Sequence, residues 1–212
     1  MKSRGFSLLE VVISAAILAV VLGALYSLLL ASTRMTETEM SLRNAQFQLQ
    51  ERMNQISSEM RESSPSLVRL YAFSDPQMAT TAQTLIAMVS ARNGADEFQV
   101  SFAQPQWQKL VVYAPVFNSV LNVGELRRYE ITPVPPEFTD PAVAPAISVT
   151  TETLELGSVS LSRNLGERVC LDFDSLTVTQ NGTWFSLNLS LFRNTVVEKK
   201  SVDLQSGVKG RN

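Results

Sequence analysis

The feature that most constrains this chain is a run without charge near its start. No residue from Val11 to Thr33 is charged, and Glu10 stands directly before the run. At about 1.5 Å rise per residue, a helix of this length crosses a hydrocarbon core of roughly 30 Å. The run therefore predicts a helix that can span a bilayer, and it raises the question of why a glutamate stands at its edge.

The flanking charges predict the orientation of that helix. Lys2 and Arg4 precede it, whereas Glu37 and Glu39 follow soon after Arg34. By the positive-inside rule the N-terminus is cytoplasmic and the rest of the chain lies outside. A cleaved secretory signal is the competing interpretation, but its apolar part is usually about 7–15 residues long and ends at small residues. The run here is longer and continues into a second helical pattern.

Beyond Thr33 the helical pattern has one apolar face. The apolar positions are Leu42, Leu49, Met53, Ile56 and Met60, and the charged ones, expected elsewhere on the surface, are Glu39, Arg43, Glu51, Arg52 and Glu59. Proline disfavours helical geometry in the residue before it, so the helix should end near Ser63-Ser64-Pro65. The sequence thus predicts one helix from about Phe6 to about Ser63, whose second half packs on the rest of the chain.

After Pro65 the chain changes to patterns typical of half-buried antiparallel strands. The runs are EFQVSFAQ, KLVVYAPVF, LRRYEITPV, AISVTTETLEL, RVCLDFDSLTVTQ and WFSLNLSLF. Asn181-Gly182 between the last two indicates a tight hairpin turn. TTAQTLIAMVSA fits either a short helix or a strand, and PVPPEFTDPAVAP indicates an extended surface loop that serves as a connector or as a partner contact. The expected fold class is α+β, with the long helix packed on an antiparallel sheet.

Residue usage excludes several kinds of catalytic site. Without histidine, Ser-His-Asp triads, Cys-His dyads and histidine zinc sites cannot form. Cys170 is the only cysteine, so the chain has no internal disulfide, and its apolar surroundings predict a buried structural role. Asp172 and Asp174 share one face of a predicted strand, which without a third ligand indicates a solvated face. We expect no catalytic site, no metal site and no cofactor.

The charge distribution argues against direct binding of nucleic acid. The formal net charge is −2, and lysines and arginines are scattered along the chain. A surface that binds a polyanion normally gathers these residues on one face or along one helix. We therefore expect no nucleic acid as a direct partner.

The position of Glu10 becomes understandable if the chain is cut. A carboxylate at the centre of a bilayer costs on the order of 2.5–3.5 kcal/mol on insertion scales, and less near the edge, so a cation or a function is expected beside it. Cleavage between Gly5 and Phe6 would create an ammonium group at Phe6, one helical turn from Glu10. In a bundle of identical helices, that ammonium would face the glutamate of a neighbour.

The first residues also carry a family resemblance. A short basic leader that ends in Gly5, then Phe6, then Glu10 as the fifth residue of the mature chain, and then an apolar helix resembles the class III signal of type IV prepilins. The resemblance implies cleavage after Gly5 by a prepilin peptidase, N-methylation at Phe6 and a role for Glu10 in subunit assembly. It covers about the first tenth of the chain.

Within that family, the resemblance is to minor pilins of the W type and to the J-type minor pseudopilins of type II secretion. The segment LQERMNQISSEMRESSP, the β-rich region and the ending KKSVDLQSGVKGRN carry it. The implied partners are other pilins or pseudopilins in a filament, an inner-membrane assembly platform and the lipids of the cytoplasmic membrane. Many major pilins have a paired-cysteine disulfide, which the lone Cys170 cannot form.

Together these patterns predict four segments. Residues 1–5 form the leader, 6–33 the transmembrane and filament-core helix, 34–64 its amphipathic continuation, and 65–212 an extracytoplasmic β-rich domain. The expected function is a structural subunit of a type IV pilus, a type II secretion pseudopilus or a DNA-uptake filament, stored in the cytoplasmic membrane before assembly. The alternatives are a single-pass anchored binding protein and, with less support, a membrane-tethered enzyme.

Overall fold

The computed structural model describes residues 8–73, 83–102, 104–150, 152–171, 173–194 and 199–209. The chain divides into two compact units, Met1–Arg43 and Asn44–Asn212. The first unit contributes helix and the second contains every described strand.

The helix α1 runs from Leu8 to Glu62. Its interior contains no proline and one glycine, Gly23, so nothing in the sequence interrupts its hydrogen-bond ladder. It ends just before Ser63-Ser64-Pro65, as predicted, and the Ser63 N–H still donates to the Glu59 carbonyl oxygen at 3.1 Å. A single 3₁₀ turn, Pro65–Leu67, then leads into the strands.

Thirteen strands follow among the described residues. They are β1 (Arg69–Phe73), β2 (Gln83–Ser90), β3 (Val100–Ser101), β4 (Gln104–Pro105), β5 (Lys109–Asn118), β6 (Val123–Ile131), β7 (Ile147–Val149), β8 (Thr153–Leu156), β9 (Val159–Ser162), β10 (Glu167–Leu171), β11 (Phe173–Asn181), β12 (Trp184–Asn194) and β13 (Lys199–Lys209). All of their pairings are antiparallel. The predicted α+β arrangement, one long N-terminal helix with antiparallel sheets, is therefore confirmed.

The described strands form four sheets. The largest has the order β1-β2-β5-β6-β10, and a second has the order β11-β12-β13. Smaller sheets contain β7-β8-β9 and β3-β4. The second sheet packs close to the first, since the Val178 N–H on β11 donates to the Thr84 hydroxyl on β2 at 3.2 Å.

The strand β5 is buried on both of its faces over most of its length. One face carries Leu110, Val112 and Ala114, which belong to a core cluster with Phe138 and Leu154. Side chains alternate across a strand, so Tyr113 points to the opposite face. That face meets the second half of α1, because the Tyr113 hydroxyl donates to Glu59 at 2.8 Å.

The observed strands can be compared with several predictions made for short segments. TTAQTLIAMVSA contains the strand β2, and the turn at Asn181-Gly182 joins β11 to β12, with Gly182 at φ +61°. The run AISVTTETLEL, expected as one strand, folds instead into the hairpin β7-β8 with Thr150 hydrogen bonded across the turn. EFQVSFAQ forms only the short β3 and the start of β4, rather than a long strand.

The proline-rich segment is less exposed than a simple surface loop. It contains the 3₁₀ turn Pro136–Phe138, and the Phe138 ring is fully buried in the core cluster. The apolar ring anchors the segment because its removal from water is favourable, by about 1.5–3 kcal/mol for a large side chain. The segment thus covers the sheet in addition to connecting two strands.

Candidate functional site

Of the predicted site residues, the structure describes Glu10. Glu10 lies in the first turn of the helix and is exposed. Its backbone carbonyl oxygen accepts a hydrogen bond from the Ser14 hydroxyl at 2.8 Å. Gly5 and Phe6, the predicted cleavage positions, lie outside the described residues.

The surface that follows Glu10 is apolar and unburied. Every residue from 8 to 33 is exposed, and Leu8, Val20 and Leu28 each expose more than two thirds of their surface. By length and composition, α1 is the one described helix that qualifies as a membrane span, and none of its most apolar window is buried. A helix that is apolar all round requires an apolar environment, either lipid or other helices.

Three hydroxyl groups within this surface are hydrogen bonded inside the helix. Ser14 donates to the Glu10 carbonyl at 2.8 Å, Ser27 to that of Ala24 at 2.8 Å, and Thr33 to that of Leu30 at 3.0 Å. Such back-bonding to the preceding turn leaves these donors paired without water. These three hydroxyls therefore do not oppose the transfer of the run into lipid or into a helix bundle.

The second half of α1 is anchored to the strands by a buried stripe. Its buried apolar residues are Ala45, Leu49, Met53, Ile56 and Met60. The predicted apolar positions from Leu49 onward all belong to this stripe, and Ala45 was missed because alanine alone is a weak apolar signal. The stripe is the means by which the apolar segment is attached to a folded domain.

Charged residues beside that stripe form a cluster with Glu59 at its centre. The Glu59 carboxylate accepts hydrogen bonds from Arg128 at 2.7 Å and from the Tyr113 hydroxyl at 2.8 Å. Arg128 also lies 2.6 Å from Glu130, which pairs with Lys109 at 2.7 Å. The expectation that Glu59 lies on the solvent surface is wrong, because strands β5 and β6 bring a tyrosine and an arginine to that point.

Burial and neighbouring charges shift the pKa values of Tyr113 and Glu130 in this cluster. Burial raises the pKa of Tyr113 well above its usual range, and the neighbouring Glu59 charge raises it further. Burial alone would also raise the pKa of Glu130, but hydrogen bonds from Lys109 and Arg128 hold it below its usual value. The Tyr113 hydroxyl therefore stays a hydrogen-bond donor at neutral pH, while the Glu130 carboxylate stays an acceptor.

A second ion pair, between Arg92 and Glu62, lies at the end of α1. Arg92 donates to both oxygens of Glu62, with Nε to Oε2 at 2.6 Å and Nη2 to Oε1 at 2.7 Å. Such a bidentate arrangement fixes direction as well as distance. Together with the Glu59–Arg128 pair, it fixes the last two turns of α1 to the strands within the second unit.

A third group of charges lies on the other side of the large sheet. Glu125 is fully buried and is held by Arg127 at 2.7 Å, Arg168 at 3.2 Å and Asn118 at 2.8 Å. Arg127 also donates to the carbonyl oxygen of Asn164 at 2.6 Å, in the turn before β10. The group ties two turns to the sheet, and the Glu125 carboxylate at its centre is paired with two arginines.

The other residues that the sequence analysis considered as possible sites are Cys170, Asp172 and Asp174. Cys170 is buried, as predicted. Asp174 accepts a hydrogen bond from Ser190 at 3.3 Å, whereas Asp172 lies outside the described residues. Within the described parts of the chain, no cluster of three or more histidine, cysteine, aspartate or glutamate side chains is arranged to hold a metal ion.

An open groove of about 590 Å³ lies between β6, β9 and the turn before β10. Its charged lining consists of Arg128, Glu130 and Glu167. These side chains pair with one another, with Arg128 2.6 Å from Glu130 and 3.6 Å from Glu167. The groove therefore offers paired charges rather than a reactive group.

Comparison with known proteins identifies the start of the chain. Residues 1–26 match the family model of the prokaryotic N-terminal methylation motif. No curated protein and no solved structure matches the chain. The matched segment includes Gly5, Phe6 and Glu10 and the beginning of the apolar surface of α1.

The motif and the long apolar helix together fit a type IV pilin-like, membrane-anchored protein. The motif indicates a structural protein. It also implies processing by a prepilin peptidase and assembly with other pilins.

Proposed function

We propose that the chain is a minor pilin or pseudopilin, a structural subunit of a type IV pilus, a type II secretion pseudopilus or a DNA-uptake filament. The observation that carries the proposal is the unburied apolar surface of residues 8–33, which begins within the methylation motif matched at residues 1–26 and continues beyond it. A surface apolar all round is satisfied equally by lipid and by neighbouring helices, so the same segment serves storage in the membrane and burial in a filament core.

The proposed processing assigns roles to the first residues. Cleavage after Gly5 releases the leader, Phe6 becomes the N-methylated N-terminus, and Glu10 guides assembly. Residues 6–33 then form the membrane and filament-core helix, residues 34–64 its amphipathic continuation, and residues 65–212 the extracytoplasmic domain. The N-terminus faces the cytoplasm before cleavage, in keeping with Lys2 and Arg4 ahead of the helix.

The test of this proposal is the N-terminal mass of the protein purified from membranes. We expect a chain that begins at methylated Phe6, and we expect Gly5→Val to leave the leader uncut. Gly23→Val is the matched control, because Gly23 lies in the same apolar run and an added Cβ there meets nothing within 4 Å. A chain that keeps Met1 in cells with active prepilin peptidase would contradict the proposal.

The alternative, a membrane-anchored binding protein, is distinguished from a filament subunit by the cell fraction in which the chain is recovered. A filament subunit is recovered with sheared filaments or with sibling subunits, whereas an anchored binding protein remains in the membrane fraction. Immunoblots of the two fractions from the same cells separate these outcomes.

A further inference from the structure

The sheet β11-β12-β13 has an outer face with little charge near the turn that joins β11 to β12. The other face of this sheet is buried through Leu176, Leu187 and Val208, so the alternate positions of each strand point outwards. No residue from 175 to 192 is charged, which covers most of β11 and β12. About a quarter of the residues in an ordinary soluble domain are charged, and nearly all of them lie at the surface. This part of the outer face is therefore polar but not ionic.

The side chains of this outer face form three rows across the strands. The strand pairings place Asn181, Trp184 and Lys209 in the first row, Thr179, Ser186 and Gly207 in the second, and Thr177, Asn188 and Gln205 in the third. The second row has the smallest side chains, and no heavy atom lies within 4 Å of a Cβ added at Gly207. The second row therefore forms the floor of a shallow depression between the other two rows, which we call the polar trough.

The spacing of the strands sets the size of the polar trough. Neighbouring strands lie about 4.8 Å apart, so the floor crosses three strands over about 10 Å. Successive residues on one face of a strand are about 6.6 Å apart, so the first and third rows stand about 13 Å from each other. A floor of this length and width fits two linked six-membered rings.

The two sides of the polar trough differ in chemistry. On one side Trp184 exposes 55% of its surface, and the Lys209 ammonium lies 5.9 Å from the centre of its ring. A cation at this distance is attracted to the ring, so Lys209 helps to hold the indole without burying it. On the other side Asn188 is exposed, and the Gln205 carboxamide donates to the Ser186 hydroxyl at 3.3 Å. The trough thus has an aromatic side and a carboxamide side.

This chemistry favours a neutral ligand that is rich in hydroxyl groups. Hydroxyls and carboxamides both donate and accept hydrogen bonds, as sugar hydroxyls do, so either partner can take either role. An indole has an apolar face and a polar edge, which suits the C–H and O–H groups of a sugar ring. A polyanion requires several cations, and a lipid surface or the centre of a protein interface requires several apolar side chains. The three rows contain one lysine and one aromatic residue, so they fit neither kind of partner.

We propose that the polar trough binds a neutral polysaccharide, with one sugar ring packed against Trp184 and the next hydrogen bonded by Asn188 and Gln205. Glycine allows a ligand to approach the backbone closely, so the polymer lies across the strands over Gly207 and Ser186. The trough belongs entirely to the second unit. The proposal is therefore independent of leader cleavage and of the filament function proposed above.

Retention of the detergent-solubilised full chain on insoluble glycans tests the proposal. The probes are cellulose and chitin, which are neutral polymers of glucose and of N-acetylglucosamine, and calcium alginate, which is an acidic polymer. The detergent must lack a sugar headgroup, because such a headgroup would compete for the site. We expect retention on cellulose or chitin, but not on alginate, and this retention should persist at high salt because no ion pair is involved. Hexasaccharides of the retained polymer should release the chain, and titration calorimetry with them measures Kd.

Two variants with matched controls assign the binding to the polar trough. Trp184→Ala should weaken hexasaccharide binding about tenfold, because it removes the aromatic side. Its control is Phe102→Ala, which removes a fully exposed ring elsewhere in the second unit and should leave Kd unchanged. Gly207→Gln fills the floor and should also weaken binding about tenfold. Its control is Gly94→Gln, which adds the same side chain at another glycine with open space around it.

Thermal unfolding checks that Gly207→Gln is folded. Its melting temperature should equal or exceed that of the unsubstituted chain, since glycine within a strand weakens the strand. Retention on neither neutral polymer, an unchanged Kd for Trp184→Ala, or equal Kd changes for Gly207→Gln and Gly94→Gln would each overturn the proposal. Retention on alginate that is lost at high salt would overturn it in favour of charge-driven binding. Co-purification of another protein that depends on Trp184, without glycan binding, would overturn it in favour of a protein partner.

Discussion

Arg128 on β6 places its Nη2 atom 2.7 Å from Oε1 of Glu59 on α1, although the two residues are 69 positions apart in the chain. The Tyr113 hydroxyl donates to the other carboxylate oxygen at 2.8 Å. The guanidinium side chain retains 10% of its exposed surface and the carboxylate 19%. The contact therefore joins the last turns of the helix to two strands in a place where water screens it little.

The first prediction concerns this contact. Glu59→Leu removes the acceptor of the Tyr113 hydroxyl and one of the carboxylates paired with Arg128, which keeps Glu130. We therefore expect a loss of about 2–3 kcal/mol in unfolding free energy. Glu51→Leu is the matched control, since Glu51 is exposed on the same helix. Thermal unfolding of the detergent-solubilised chain, followed by circular dichroism, measures both. Equal melting temperatures for the two variants would show that the contact contributes nothing.

A second prediction concerns the turn before β10. A Cβ added at Gly166 would lie 2.6 Å from a ring carbon of Tyr129, and that ring is held in place because its hydroxyl donates to the Arg163 carbonyl oxygen at 2.9 Å. Gly166→Ala should therefore cost about 1–3 kcal/mol, as overpacking in a filled core does. Gly94→Ala is the control, because an added Cβ there meets nothing within 4 Å. Urea unfolding compares the two, and equal midpoints would contradict the expected clash.

The third prediction concerns alkaline pH. Burial raises the pKa of Tyr129 to about 12, against an ordinary value of 10.0. A raised pKa in the folded state means that the stabilisation is complete below pH 10 and is lost as pH rises toward about 12. At about 1.4 kcal/mol per pKa unit, this loss amounts to roughly 2–3 kcal/mol.

The variant Tyr129→Phe tests whether Tyr129 causes this loss of stability at high pH. The variant loses the hydrogen bond to Arg163, about 1 kcal/mol at neutral pH, but its stability should fall less steeply between pH 10 and 12. Denaturant midpoints at a series of pH values give the two slopes. Parallel slopes for the variant and the unsubstituted chain would rule out Tyr129 as the titrating group.

Local patterns were sufficient to predict the main elements. The helix was predictable because its run of uncharged residues, its later helical periodicity and its stop at Pro65 are all encoded within neighbouring residues. The strand β12 was predictable for the same reason, since alternation along a strand needs no knowledge of its partner. The strand β5 was predictable from its β-branched and aromatic residues, but its burial on both faces, rather than the predicted one, depends on the elements packed over it. AISVTTETLEL was misread because alternation continues through the residues that form the turn between β7 and β8.

The contacts between elements could not be predicted without knowing the register of the sheet. Nothing near Glu59 in the sequence indicates Arg128, and only the pairing Tyr113↔Arg128 between β5 and β6 places both beside the helix. Glu125 and Arg127 are two residues apart, which places them on one face of a strand, but burial of that face depends on the strands packed over it. The methylation motif was recognisable because its residues lie within one short segment.

A fourth prediction concerns the proposed division of the chain. The compact second unit begins at Asn44, and the apolar surface ends near Thr33. Removal of residues through Thr33 should therefore yield a soluble, folded fragment that retains the anchored part of the helix, since the core of the second unit remains complete. Circular dichroism should show a spectrum dominated by strands. An insoluble fragment, or one without a strand signal, would show that the division is wrong.

The last prediction returns to Glu10. If its carboxylate pairs with the amine released at Phe6 of a neighbouring subunit, Glu10→Val should leave membrane insertion intact or improved, because a charge has been removed from the edge of the lipid. Entry into the filament should fail, because the growing base has lost its electrostatic docking contact. Leader cleavage should continue, and N-terminal mass spectrometry checks it.

An intrachain pair is the competing account of Glu10, since Phe6 and Glu10 are four positions apart in the sequence, which is the spacing of paired side chains in a helix. The two accounts differ in what fails. An intrachain role predicts an unstable or misoriented monomer, whereas an interchain role predicts abundant, correctly oriented monomer that is missing from sheared filaments. Immunoblots of filament and membrane fractions distinguish them, with Val12→Ala as a control that changes a nearby exposed apolar side chain without altering charge. We expect filament loss for Glu10→Val alone, and normal incorporation of that variant would remove the assembly role from Glu10.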